Sequence, residues 1–287
     1  MKTSNYLFVW LIALFSSGSV FAGGPWLFPQ KSGFVQLQAT IPAYRYDSLL
    51  MGTIRDVQAL NRPVFNSDFN LYAEFGITDN IDIIAMLPAK YVSTSEALES
   101  QSFSKLLPEG SLFGLSNAKL GIKYGLLDKK IKAAVSFQAS FNTVSRDAEK
   151  GLATGYDANI FGLYFHVGGS ITPKLYMFAE AGYNLFTGGY SDLLDVHLEV
   201  GYRIWKPFSV IFTIDSRISI RNGSLNDERL IQTGLYPNNQ ESIVGSVKFV
   251  LESTSGYGVM FGTALIPIYM KYIGFAGAFT VGAFKKW

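Results

Sequence analysis

From residue 65 to residue 91 the chain alternates side by side, and one of its two faces is free of charge. Phe65, Phe69, Leu71, Ala73 and Phe75 share that face, and Asn66, Asp68, Asn70, Tyr72 and Glu74 share the other. After the turn formers Thr78-Asp79-Asn80, the residues Ile81, Ile83, Ala85, Leu87 and Tyr91 resume it against Asp82, Ile84, Met86 and Lys90. A period of two is the signature of a strand with two different surroundings. The pattern returns at 118–124, 131–141, 161–167, 175–185, 196–204, 208–220 and 243–251. Strands at Val35 to Ile41, Tyr257 to Leu265 and Ile273 to Trp287 bring the number to about twelve.

Across these strands no outward position between the strand ends is Asp, Glu, Lys or Arg. A soluble sheet tolerates charge on its wet face. On the lipid face of a barrel, a Lys or Arg at the bilayer midplane costs about 2–4 kcal/mol. Composition agrees: 16% of residues are charged and 15% are aromatic, where soluble domains carry about 25% charge. No segment after the N-terminus is long enough for a spanning helix, and in lipid only helices and closed barrels satisfy their backbone. The expected fold is therefore all-β, a transmembrane antiparallel β-barrel.

The N-terminus reads as a secretory signal peptide over residues 1–22. Lys2 supplies the positive charge, Tyr6 to Phe15 the apolar stretch, and Val20-Phe21-Ala22 the cleavage site. The apolar stretch falls short of the roughly 20 residues of a membrane span. The barrel domain is then 23–287, in the outer membrane of a Gram-negative envelope. Connections at 77–80, 126–130, 170–174, 205–207 and 253–256 are short and read as periplasmic. Those at 42–63, 92–115, 143–156 and 221–240 are longer and read as outer loops, with 187–191 and 267–271 as short exceptions. Trp26, Trp205 and Trp287 then mark a periplasmic aromatic belt, and Tyr44, Tyr46, Tyr91, Tyr156, Tyr190, Tyr269 and Tyr272 an outer one. The last strand, with Phe279 facing out and Trp287 at its end, resembles the signal read by barrel-assembly machinery. Gly23 to Lys31 is too irregular for a strand and is expected to tuck into the periplasmic mouth.

Four segments carry a further resemblance: Gly24-Pro25-Trp26-Leu27-Phe28-Pro29 with Gly33-Phe34, Tyr72-Ala73-Glu74-Phe75-Gly76-Ile77-Thr78-Asp79, Gly114 to Gly121, and Leu198 to Arg203. Together they resemble an outer-membrane β-barrel family of transporters of the phenol-degradation meta pathway. Asn117 stands where that family has an acidic residue, and Lys31 where it has Gly. The resemblance implies movement of small solutes, aromatic or hydrophobic ones included.

The inward face holds both signs. Asp68, Glu74, Asp82, Glu180, Asp195, Glu199, Asp215 and Glu252 oppose Lys90, Lys119, Lys123, Lys132, Arg203, Arg217, Arg221 and Lys248, with His166 and His197 among them. Hairpins symmetric about the short turns predict the pairs Asp68–Lys90, His166–Glu180, His197–Asp215 and Asp195–Arg217. Such a lining either tunes a pore or fills the barrel with ion pairs. The net charge of +2 gives no basis for a nucleic-acid partner. Absent cysteines exclude disulfides, thiolate metal sites and a lipid anchor on Cys.

Neither histidine is followed by the Ser-Asn of outer-membrane lipid hydrolases, although His166–Glu180 with Ser136 on the neighbouring strand mimics a hydrolase triad. No phosphate loop, metal-spaced cluster or cofactor motif is present. The sequence thus points to a non-enzymatic passive channel or transporter, its partners being outer-membrane lipid, the assembly machinery and an unidentified small solute. A lipid-acting enzyme and a structural or adhesive surface barrel are the alternatives.

Overall fold

The computed structural model describes residues 23–51, 57–98, 106–220, 222–274 and 276–287. Residues 1–22, expected to be a signal peptide, and Arg221 lie outside them. Twelve antiparallel strands form the wall: β1 (Gly33–Pro42), β3 (Val57–Thr78), β4 (Ile81–Thr94), β6 (Ala118–Asp128), β7 (Lys132–Phe141), β10 (Ile160–Ser170), β11 (Leu175–Phe186), β12 (Leu193–Trp205), β13 (Phe208–Ser219), β14 (Glu241–Glu252), β15 (Tyr257–Gly274) and β16 (Ala278–Lys286). Each pairs with its neighbour in the chain, and β1 pairs with β16 from Phe34↔Lys286 to Pro42↔Ala278. That last ladder closes the sheet and leaves no edge in the membrane.

The alternation is realised as read. Leu37, Leu71, Ile83, Leu120, Phe137, Phe165, Leu198, Phe212, Phe249 and Val281 stand exposed on the outer wall, while Glu74, Asp82 and Lys123 are buried inside it. An apolar exterior over a polar interior inverts the soluble pattern and suits a hydrocarbon solvent.

Four shorter strands extend the outer end. β2 (Tyr46–Met51) bridges the outer ends of β3 and β15, and β5 (Ser111–Leu115) prolongs the ladder of β4 beyond β6. β8 (Arg146–Asp147) and β9 (Leu152–Ala153) make a small hairpin within loop 142–159.

The last connection differs from the expected 267–271. β15 continues to Gly274 and the next strand begins only at Ala278. Pro267 does not end the strand because it lies where the β14 ladder slips twice, between Ile243/Val244 and Gly245/Ser246. A bulge accepts a residue that has no N–H to give. Beyond it, Lys271 pairs with Glu241 at 3.1 Å. Ile273 therefore belongs to β15 and not to the final strand.

The aromatic belts also need correction. Trp205 and Trp287 face outward, but Trp26 lies inside the barrel, edge-on to Tyr176 and Phe178 with ring centroids 5.6 Å apart in each case. Tyr44 and Tyr91 are exposed at the outer end, whereas Tyr46, Tyr156 and Tyr190 are buried among the loops.

Candidate functional site

The interior has three storeys. At the periplasmic mouth the stretch from Gly23 to Ser32 turns back into the barrel. Phe28 is buried among Phe34, Ile211, Val250, Met260 and Phe284, which come from five different strands of the wall. Gly76 makes room for it, since a Cβ there would collide with the Phe28 and Pro29 carbonyls. The plug is also held by charge. Lys123, 1% exposed, pairs with Glu74, lies 3.7 Å from Asp82 and donates to the Trp26 carbonyl at 2.8 Å. The Phe28 amide donates to Asp82 Oδ2 at 3.1 Å and Tyr72 Oη to Glu74 Oε2 at 2.8 Å. Burying these charges is tolerable only because each finds a partner.

Above the plug lie two cavities of about 360 Å³ and 310 Å³ that share Lys119, Gln138 and Glu180. All four expected cross-strand pairs are in register and in contact. Lys90 Nζ is 2.9 Å from Asp68, and Arg217 Nε donates to Asp195 at 3.0 Å. His197 Nδ1 is 2.6 Å from Asp215. His166 Nδ1 lies 2.8 Å from Glu180 Oε2. Its Nε2 is 2.9 Å from Ser136 Oγ. Tyr176 Oη donates to Glu199 at 2.6 Å. Lys119 and Lys248 line the larger cavity.

Two expected lining residues sit elsewhere: Lys132 is at the periplasmic turn beside Asp128, and Arg203 is close to the turn that ends β12. At the chain end, Phe279 and Trp287 are exposed, and the Trp287 and Gly33 backbones exchange two hydrogen bonds of 3.1 Å.

The outer storey is a lid. Tyr46, Leu49, Leu60, Val64, Val92, Leu152, Leu235 and Ala276 form one buried apolar cluster, and Tyr156, Ala158 and Tyr190 a second. Buried polar groups fix the loops to one another. Asn117 donates to the Tyr156 and Ala158 carbonyls at 2.8 and 3.0 Å and accepts from the Tyr156 amide at 2.9 Å. Thr233, at the end of the short helix Glu228–Thr233, donates to the Gly151 carbonyl at 2.8 Å and accepts from Tyr46 Oη at 3.0 Å. Lys90 marks the boundary of lid and chamber, with Nζ 4.9 Å from the Tyr236 ring centre.

At the rim, carboxylates are held in their charged form. Hydrogen bonds from Asn142 and Arg146 keep Asp157 below the usual carboxylate range, and one from Lys150 does the same for Asp147. Burial pushes Asp192 up, but donation from Tyr183, the Phe186 amide and Asn222 outweighs it, and the net shift is downward.

A closed twelve-strand wall, an apolar exterior and a chamber inside decide the architecture. The fold is that of an outer-membrane β-barrel. The COG4313 outer membrane channel from Pseudomonas putida F1 superposes with a TM-score of 0.68 at 10% identity, over 93% of this chain and all of that one. The NanC porin gives 0.51 at 10% identity, over 88% of this chain and all of that one. At such identities the likeness is one of fold. No family model and no curated protein matches the sequence.

Sequence reasoning missed the lid anchors Asn117, Thr233 and Gln240 and the chamber residue Met260, whereas it set Ile84 and Met86 on the inward face without counting them in the lining.

Proposed function

We propose that the protein is a passive outer-membrane channel for small solutes, exported by its leader and closed at both mouths by its own chain in this state. The observation that carries this reading is the polar chamber enclosed by an apolar, lipid-facing wall. Most of the charges that line it are paired across strands, which favours a narrow path of weak ion selectivity over a strongly charged pore. The resemblance to transporters of the phenol-degradation meta pathway supports small aromatic or hydrophobic solutes, and its first motif is the plug itself. The outward Phe279 and the terminal Trp287 support reading the last strand as the assembly signal.

Ser136, His166 and Glu180 have the spacing of a hydrolase triad, yet three features favour a channel over an enzyme. Ser136 is 1% exposed, its strand is paired on both sides, and so no backbone N–H beside it is free to bind an oxyanion.

Planar-bilayer recording tests the proposal. The mature protein should show small conductance steps, and a form lacking residues 23–31 larger ones. If neither form conducts, and a third form lacking residues 221–240 does not either, the channel reading fails. Lipid hydrolysis lost in His166→Ala would establish the enzyme instead.

A further inference from the structure

We infer that the chamber binds a small monocarboxylate with an apolar body, its anionic group held by Lys119 and Lys248. The inference rests on the channel reading and names the class of solute.

The argument begins with the charges that line the two cavities. Each carboxylate has a partner at hydrogen-bond distance: Glu180 has His166 at 2.8 Å, Glu199 has Tyr176 at 2.6 Å, Asp195 has Arg217 at 3.0 Å and Asp215 has His197 at 2.6 Å. Arg217 is taken by Asp195, and Lys123 by Glu74 and the plug. Among the described residues that line these cavities, Lys119 and Lys248 alone are cations with no carboxylate within 4 Å and no hydrogen bond.

Lys119 is on β6 and Lys248 on β14, which stand half-way round the twelve-strand wall from each other. They nevertheless line one cavity, which they reach from opposite walls. Gly262, paired with Lys248, leaves the space its stem occupies, since a Cβ there would lie 3.1 Å from Lys248 Cγ. The same cavity presents Ile84, Met86, Ile211, Val250 and Met260. A neutral solute would leave both ammonium groups without a hydrogen-bonded anion, since Asp195 and Glu180 act on Lys119, and Asp215 on Lys248, only at a distance, and a cation would be repelled at this spot. A carboxylate completes them with charge-assisted hydrogen bonds, while its hydrocarbon part covers the apolar wall. The larger cavity, about 360 Å³, has room for on the order of ten non-hydrogen atoms at liquid-like volumes.

Benzoate is the probe and benzamide its neutral isostere, titrated calorimetrically into the purified mature protein in detergent. Benzoate should bind and benzamide should not. Lys119→Met and Lys248→Met should each weaken benzoate by about tenfold or more, and Lys119→Arg should retain most of the affinity. Circular dichroism establishes that every variant is a folded barrel. Equal binding of the two probes, wild-type affinity in both Met variants, or no benzoate binding overturns the site. Conductance without benzoate binding leaves the channel standing and removes this site. Benzoate binding without conductance does the reverse.

Discussion

At the periplasmic mouth one stretch of ten residues closes the barrel by burying the Phe28 and Trp26 rings against the wall and lending its backbone to Lys123 and Asp82. At the outer mouth, segments from different connections meet and none closes the barrel alone. Tyr46 and Leu49 come from β2, Leu152 and Tyr156 from loop 142–159, and Leu235 and Tyr236 from 220–240. The plug is therefore a single latch dependent on a few groups, whereas the lid spreads its stability over many contacts. The contrast predicts that single substitutions release the periplasmic end more readily than the outer end.

The sharpest way to break the comparison is Lys123→Met. It leaves Glu74 and Asp82 buried without their cation, a loss of about 3–5 kcal/mol when one partner of a buried ion pair is removed. Thermal unfolding in detergent should fall markedly and bilayer conductance should rise. Wild-type values of both would show that charge does not hold the plug. Next is Phe28→Ala, worth about 3 kcal/mol of plug docking. It should raise conductance while leaving the outer loops as resistant to protease as before.

Asn117→Ala tests the other end. It removes the anchor of loop 142–159 at about 1–3 kcal/mol, and protease cleavage within that loop should quicken with little change in conductance, because the apolar clusters remain. A full opening from this one change would contradict a distributed lid. The smallest effect is that of pH. Asp147, Asp157 and Asp192 are held below their ordinary pKa. Their contribution is fully present above the ordinary carboxylate value near 4 and is lost as pH falls through the depressed values. Loop protection from hydrogen exchange should therefore weaken on acidification below about pH 4 and stay flat from pH 5 to 8.

Much of the chamber was legible before any tertiary information. The four cross-strand pairs follow from short turns, because a tight hairpin fixes register and register fixes which side chains meet. Asp82 and Lys123 are equally in register, but the connection between β4 and β6 runs through residues 95–117, and no tight turn sets their alignment. Tyr156 and Tyr190 depart from the expected belt for a related reason, since outside the strands there is no period to show which way a side chain points, and Tyr46 departs from it because the expected loop 42–63 contains the short strand β2.

Alternation and the uncharged outer face by themselves determined a closed membrane barrel of about twelve strands, since the bilayer penalises each misplaced charge locally and the strand period is local as well. The final turn, the plug, the lid and the two unmatched lysines were decided only by the tertiary structure. Each depends on groups far apart in the chain meeting across the lumen, and sequence spacing does not encode that distance where irregular backbone intervenes.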